Sequence, residues 1–124
     1  MTSKILIVED SRASRELIAA TVESIPGLEA IPSSSGLEAL KLLPQHDFAL
    51  IITDINMPDI NGLELIRFVK SNPALRDTPL FIITTEGRET DRDRGLALGA
   101  VEYLVKPFSP RSLEELVRRY LQLA

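Results

Sequence analysis

Three carboxylates, a threonine and a lysine stand at the ends of short apolar runs in this chain. Glu9 and Asp10 follow Ile5-Leu6-Ile7-Val8, and Asp54 follows Leu50-Ile51-Ile52-Thr53. Thr84 closes Leu80-Phe81-Ile82-Ile83, and Lys106 follows Val101-Glu102-Tyr103-Leu104-Val105. Three carboxylates brought together repel one another, and a divalent cation is the natural compensation. An all-oxygen ligand set suits Mg²⁺ or Mn²⁺ rather than zinc. Mg²⁺ takes one or two protein carboxylates and keeps other positions for water or phosphate oxygens. Lys106 would set a positive charge against a phosphoryl group, and the Thr84 hydroxyl would donate to the same oxygens. A nucleophile, a metal and fixed donors are what phosphoryl transfer needs. Asp54 is the candidate nucleophile, because a carboxylate can form an acyl phosphate.

For these groups to share a site, the runs must be neighbouring strands. Runs of four or five apolar, β-branched residues read as strands buried on both faces. Residues 4–8, 28–31, 48–53, 80–84 and 101–105 fit, the second being less apolar and near an edge. Helical patterns lie between and after them. Ser11 caps one that ends near Ile25, before Pro26-Gly27. Residues 35–43 form a short helix closed by Pro44, and Asn61-Gly62 opens another that runs to about Ser71. Residues 90–98 form a fourth helix, ended by Gly99. Its Gly95 and its run of charges make it the least stable. Ser109 and Pro110 start a fifth, with Leu113, Leu116, Val117, Tyr120 and Leu121 on one face. Strict alternation implies an α/β fold, a parallel sheet with helices on both sides. Ligands of such sheets bind at the carboxyl ends of the strands, where the charges stand.

Composition narrows the function. At 124 residues the chain is read as one domain, 1–124. Lys and Arg number 14 against 18 Asp and Glu, a net charge of -4 that speaks against nucleic acid as a partner. Cysteine is absent, which removes disulfides, thiolate metal sites and a cysteine nucleophile. No signal-peptide pattern precedes the first strand and no apolar run reaches the roughly 20 residues of a membrane span, so the expected location is the cytoplasm, with no membrane association.

Taken together, the Glu9-Asp10 pair, Asp54-x-x-Met57-Pro58-x-x-x-Gly62, Thr84 and Lys106-Pro107-Phe108 resemble the receiver domain of bacterial two-component response regulators. The match is to the stand-alone, CheY-like type and spans essentially the whole chain. The resemblance implies a flavodoxin-like (βα)5 three-layer sandwich with strand order 2-1-3-4-5. It implies that Asp54 accepts a phosphoryl group from a sensor histidine kinase. Glu9, Asp10, Asp54 and the Asn56 backbone carbonyl would hold Mg²⁺, and Thr84 and Lys106 would bind the phosphoryl group. The Lys106-Pro107 peptide is expected to be cis. Thr84 and Tyr103 would form a switch pair that reshapes the fourth helix, fifth strand and fifth helix, where a downstream protein target binds. Such a protein acts on no external substrate and is not an enzyme beyond its own phosphorylation and dephosphorylation. Asn56 and Glu86 occupy the positions that tune dephosphorylation, and their pairing resembles fast-cycling chemotaxis regulators. Thr85 stands where the family has Ala or Gly, a larger side chain that would narrow access for donors.

Rival readings have less behind them. A phosphorylation-independent scaffold would not need every pocket residue, and a receiver cut from a longer regulator would carry the same motifs. A metal-dependent phosphohydrolase wants a second acid two residues after its nucleophile, where this chain has Asn56. A flavodoxin would cradle phosphate in a Ser/Thr/Gly-rich loop in place of Glu9-Asp10. Outside the motif, His46 reads as a solvent-exposed loop residue without function. Asp91, Arg92, Asp93 and Arg94 read as a solvated helix face.

Overall fold

The computed structural model describes residues 2–85 and 89–123. Its elements alternate as expected: β1 (Ser3–Val8), α1 (Arg12–Glu23), β2 (Leu28–Ser33), α2 (Gly36–Leu42), β3 (Phe48–Asp54), α3 (Gly62–Ser71), β4 (Leu80–Thr85), α4 (Glu89–Leu98), β5 (Glu102–Lys106) and α5 (Pro110–Tyr120). All strand pairs are parallel and the order is β2-β1-β3-β4-β5. This is the flavodoxin-like arrangement, with the weakly apolar β2 at an edge.

Alternation along the central strands divides the core between two faces. Ile5, Ile7, Leu50, Ile52, Phe81 and Ile83 pack with Ile18 and Val22 of α1 and Leu113 and Val117 of α5. Leu6, Val8, Ile51, Leu80 and Ile82 pack with Ala39 of α2 and Leu65, Ile66 and Val69 of α3. The three central strands are therefore covered on both sides, which is why their sequences are continuously apolar.

Helix starts follow local chemistry. The hydroxyls of Ser11, Ser35 and Ser109 accept from the backbone N–H three residues on, at 3.4, 3.1 and 3.1 Å. Asn61 Oδ1 accepts from both Leu63 and Glu64 N–H, at 2.8 and 3.2 Å. Each caps a first-turn amide, which has no carbonyl four residues back within its helix. α2 ends in a 3₁₀ turn, Leu43–Gln45, rather than at Leu43 itself.

Two side chains depart from the sequence reading. His46 is half-buried: its Nδ1 lies 3.1 Å from Lys4 Nζ, and its ring meets Phe48 edge-on. The loop folds back over the start of β1, so His46 is a structural contact. Arg92 likewise is not simply solvated, because its guanidinium lies 5.1 Å from the Tyr103 ring centroid. The cation is drawn to the ring face.

Candidate functional site

The carboxyl ends of β1 and β3 are adjacent, with Val8 in register with Thr53. Glu9 and Asp54 thereby emerge side by side, both buried, and Asp10 stands exposed at the rim. One carboxylate oxygen from each of Glu9, Asp10 and Asp54 lies within 4.8 Å of the others. Lys106, at the end of β5, reaches across: its Nζ is 2.9 Å from Asp54 Oδ2 and also bonds Glu9 Oε1. Asp54 Oδ1 accepts from Asn56 N–H at 3.0 Å. Glu9 Oε2 is buried with no hydrogen-bond partner among the described residues.

These charges are only partly balanced. Burial, followed by the neighbouring Asp54, pushes the Glu9 carboxyl up to about 7, against the opposing pull of Lys106. For Lys106, burial lowers the pKa, but its bonds to Glu9 and Asp54 outweigh this and the net direction is up. Among the described residues, one lysine bonded to two of three acids leaves an unpartnered buried oxygen and a carboxyl that resists ionising. A divalent ion fits that set: the donors are all hard oxygens, and added positive charge would relieve the strain on Glu9.

The remaining candidates gather at the same edge. β4 pairs Ile83 with Asp54, so Thr84, itself buried, follows directly on the neighbouring strand. Ile82 is in register with Tyr103, which places Thr84 and Tyr103 on the same face of the sheet. Thr85 is exposed and in register with Lys106. The Lys106-Pro107 peptide is cis. A family model of the response regulator receiver domain matches residues 5–118. The chain belongs to this family.

Relatives span the receiver along nearly its whole length. A chemotaxis protein CheY homolog of Campylobacter jejuni is 37% identical over 113 residues, 90% of this chain and 87% of that protein. The polar-differentiation response regulator DivK of Brucella ovis is 35% identical over 121 residues, 98% of each. Chemotaxis protein CheY4 of Vibrio cholerae superposes with a TM-score of 0.88 at 33% identity, covering 97% of this chain and 99% of that one. CheY-type receivers act with histidine kinases and downstream targets. Among the described residues no helix is long and apolar enough to cross a membrane.

Glu9, Asp10, Asp54, Lys106, Thr84 and the backbone of Asn56 thus converge on one edge of the receiver. Glu86 lies outside the described residues. Two supporting residues carried no readable signal in the sequence. Arg15 Nη1 donates to the carbonyls of Glu9 and Asp10, at 2.9 and 3.4 Å, fixing the loop that presents both acids. Asp59 binds the start of α2. Both look like ordinary surface charges until the loops are folded.

Proposed function

We propose that this receiver takes a phosphoryl group from the phosphohistidine of a sensor histidine kinase onto Asp54 and signals through a changed protein-binding surface. The observation that carries the reading is the convergence of Glu9, Asp10 and Asp54 within 4.8 Å, with Lys106 bonded to Asp54. In the transfer, an Asp54 carboxylate oxygen forms the new O–P bond as the P–N bond to the donor imidazole breaks. The bonding pair stays on that nitrogen, which takes up a proton. Glu9, Asp10, Asp54 and the Asn56 carbonyl would hold Mg²⁺, with Mn²⁺ able to replace it. When bound, the ion neutralises charge developing on the phosphoryl oxygens. Lys106 steadies the same oxygens, and its contact with Asp54 keeps the nucleophile oriented. Thr84 donates its hydroxyl to the product, and Tyr103 on the same face fills the space that the hydroxyl leaves. The chain acts on itself alone. Its phosphoryl group is short-lived, and substitution of Asn56 should not hasten its loss.

Intact-mass analysis after incubation with acetyl phosphate or phosphoramidate tests this. Wild type should gain one phosphoryl group in the presence of Mg²⁺, and Asp54→Ala should gain none. Wild type that stays unmodified with small donors and with a histidine kinase would leave the scaffold reading in possession.

A further inference from the structure

Residues 55–61 form the loop between β3 and α3 that carries Asn56, and this loop is tied down at three places. At its ends, Gly62 N–H donates to the Ile55 carbonyl at 2.8 Å and Asn56 N–H to Asp54 Oδ1 at 3.0 Å. In its middle, Asp59 reaches over to α2. Its Oδ1 accepts from Gly36 N–H at 3.2 Å and its Oδ2 from Leu37 N–H at 2.9 Å. Those are opening amides of a helix, which have no carbonyl of their own to bond. Ser35 Oγ already serves Glu38 N–H, so Asp59 completes the set. The backbone seats against α2 as well. A Cβ on Gly36 would lie 2.8 Å from Ile60 Cβ and 2.9 Å from the Ile60 carbonyl oxygen. Although Asp59 is exposed, its carboxyl is held below the usual carboxylate range, chiefly by the Leu37 N–H.

A residue that merely capped α2 could come from α2's own flank, as Ser35 does. Asp59 comes from the loop that bears a metal ligand, three residues after Asn56. We propose that Asp59 is a positioning residue for the metal site, latching the 55–61 loop to α2 so that the Asn56 backbone is held ready for Mg²⁺. This rests on the receiver reading above and deepens it. Loss of such an outer support costs metal affinity on the order of 10-fold in characterised sites. A free loop must order itself each time the ion binds, whereas a latched one is ordered beforehand.

The test uses the full chain and two readouts. Mg²⁺ affinity is titrated by amide chemical shifts without any phosphodonor. Phosphorylation by phosphoramidate is then followed across a range of Mg²⁺ concentrations. Asp59→Ala should raise the half-saturating Mg²⁺ on the order of 10-fold in both, with the rate at saturating Mg²⁺ changed by less than about 2-fold. Asp59→Asn, which keeps one acceptor oxygen, should fall between the two. Gly36→Ala disturbs the same contact from the helix side and should shift Mg²⁺ in the same direction. Ser35→Ala loosens α2 without touching the loop, so it should lower the melting temperature and leave Mg²⁺ affinity alone. Unchanged Mg²⁺ affinity in Asp59→Ala, with a lowered melting temperature, would overturn the proposal and leave Asp59 a plain helix cap. Wild type that neither binds Mg²⁺ nor takes a phosphoryl group would overturn the receiver reading along with it.

Discussion

Glu9 holds a carboxyl group with no solvent exposure and, among the described residues, one oxygen without a partner. Its carboxyl is raised from 4.5 to about 7, mainly by burial and then by Asp54. Between those pH values the folded chain keeps a proton that the unfolded chain has released. Stability from this group is therefore lost as pH rises through the window, by on the order of 3 kcal/mol if the whole shift acts on folding. A bound divalent cation reverses the sign locally, because it favours the ionised form and must displace the proton. Mg²⁺ should accordingly raise the melting temperature more at about pH 8 than at about pH 6. Glu9→Gln, which carries neither charge nor titration, should stabilise the metal-free chain near neutral pH and flatten both dependences. Melting followed by circular dichroism, with and without Mg²⁺, reads both. An equal Mg²⁺ effect at the two pH values in wild type would show that Glu9 does not give up its proton to the ion.

At the scale of elements, the site depends on how closely α3 starts behind β3. A Cβ on Gly62 would lie 2.4 Å from the Asp54 carbonyl oxygen and 2.7 Å from Ile55 Cα. Both are backbone atoms, so neither can swing aside. Gly62→Ala should cost about 2–3 kcal/mol and displace the backbone that carries Asp54. Asn61→Ala removes only the cap and should cost about 1 kcal/mol. Urea unfolding should rank them in that order, and a Gly62→Ala cost no larger than that of Asn61→Ala would mean that the two segments part easily. The Asn61-Gly62 pair was legible as a helix start, because capping is written in neighbouring residues. Its second role was not, because the clash is with Asp54 and Ile55, eight and seven residues back at the end of β3. Gly95 shows the same limit. By propensity it reads as a weakness in α4, yet it is buried, and a Cβ there would lie 2.7 Å from Ile82 Cδ1. The strand-end acids were readable since strand periodicity alone sets where they emerge. Arg15, Asp59 and the His46–Lys4 contact depend on how loops return to the body, and local pattern does not encode that.

Across the whole molecule, the layers are not equally anchored. α5 presents an apolar stripe in which Leu113 and Val117 are fully buried, and its Tyr120 meets Phe81 edge-on at 5.2 Å while donating to the Val101 carbonyl at 3.0 Å. α3 buries Leu65, Ile66 and Val69. α4 has no such stripe: among its residues Gly95 alone is buried, with Leu96 and Leu98 only half-covered against the core. The contact of Arg92 with Tyr103 adds only a weak, solvent-screened attraction at such a partly exposed site. Little apolar burial means a low free energy for local opening, since it is burial that offsets the entropy of ordering a helix. Hydrogen exchange should therefore find α4 amides opening well before those of α3, α5 and the central strands, with protection rising in α4 when Asp54 is phosphorylated. The weakly held helix lies beside Tyr103, and Tyr103 shares a sheet face with Thr84, on the strand next to Asp54. A charge placed on Asp54 would thus meet its least resistance there, and a partner reading that surface would sense a small local change as an ordered or loosened helix. Arg92→Ala should lower α4 protection further while leaving α3 and α5 unchanged. If α4 instead exchanged on the same timescale as β1 and β3, its response would require opening of the whole core, and signalling would have to pass through a rigid surface by charge alone.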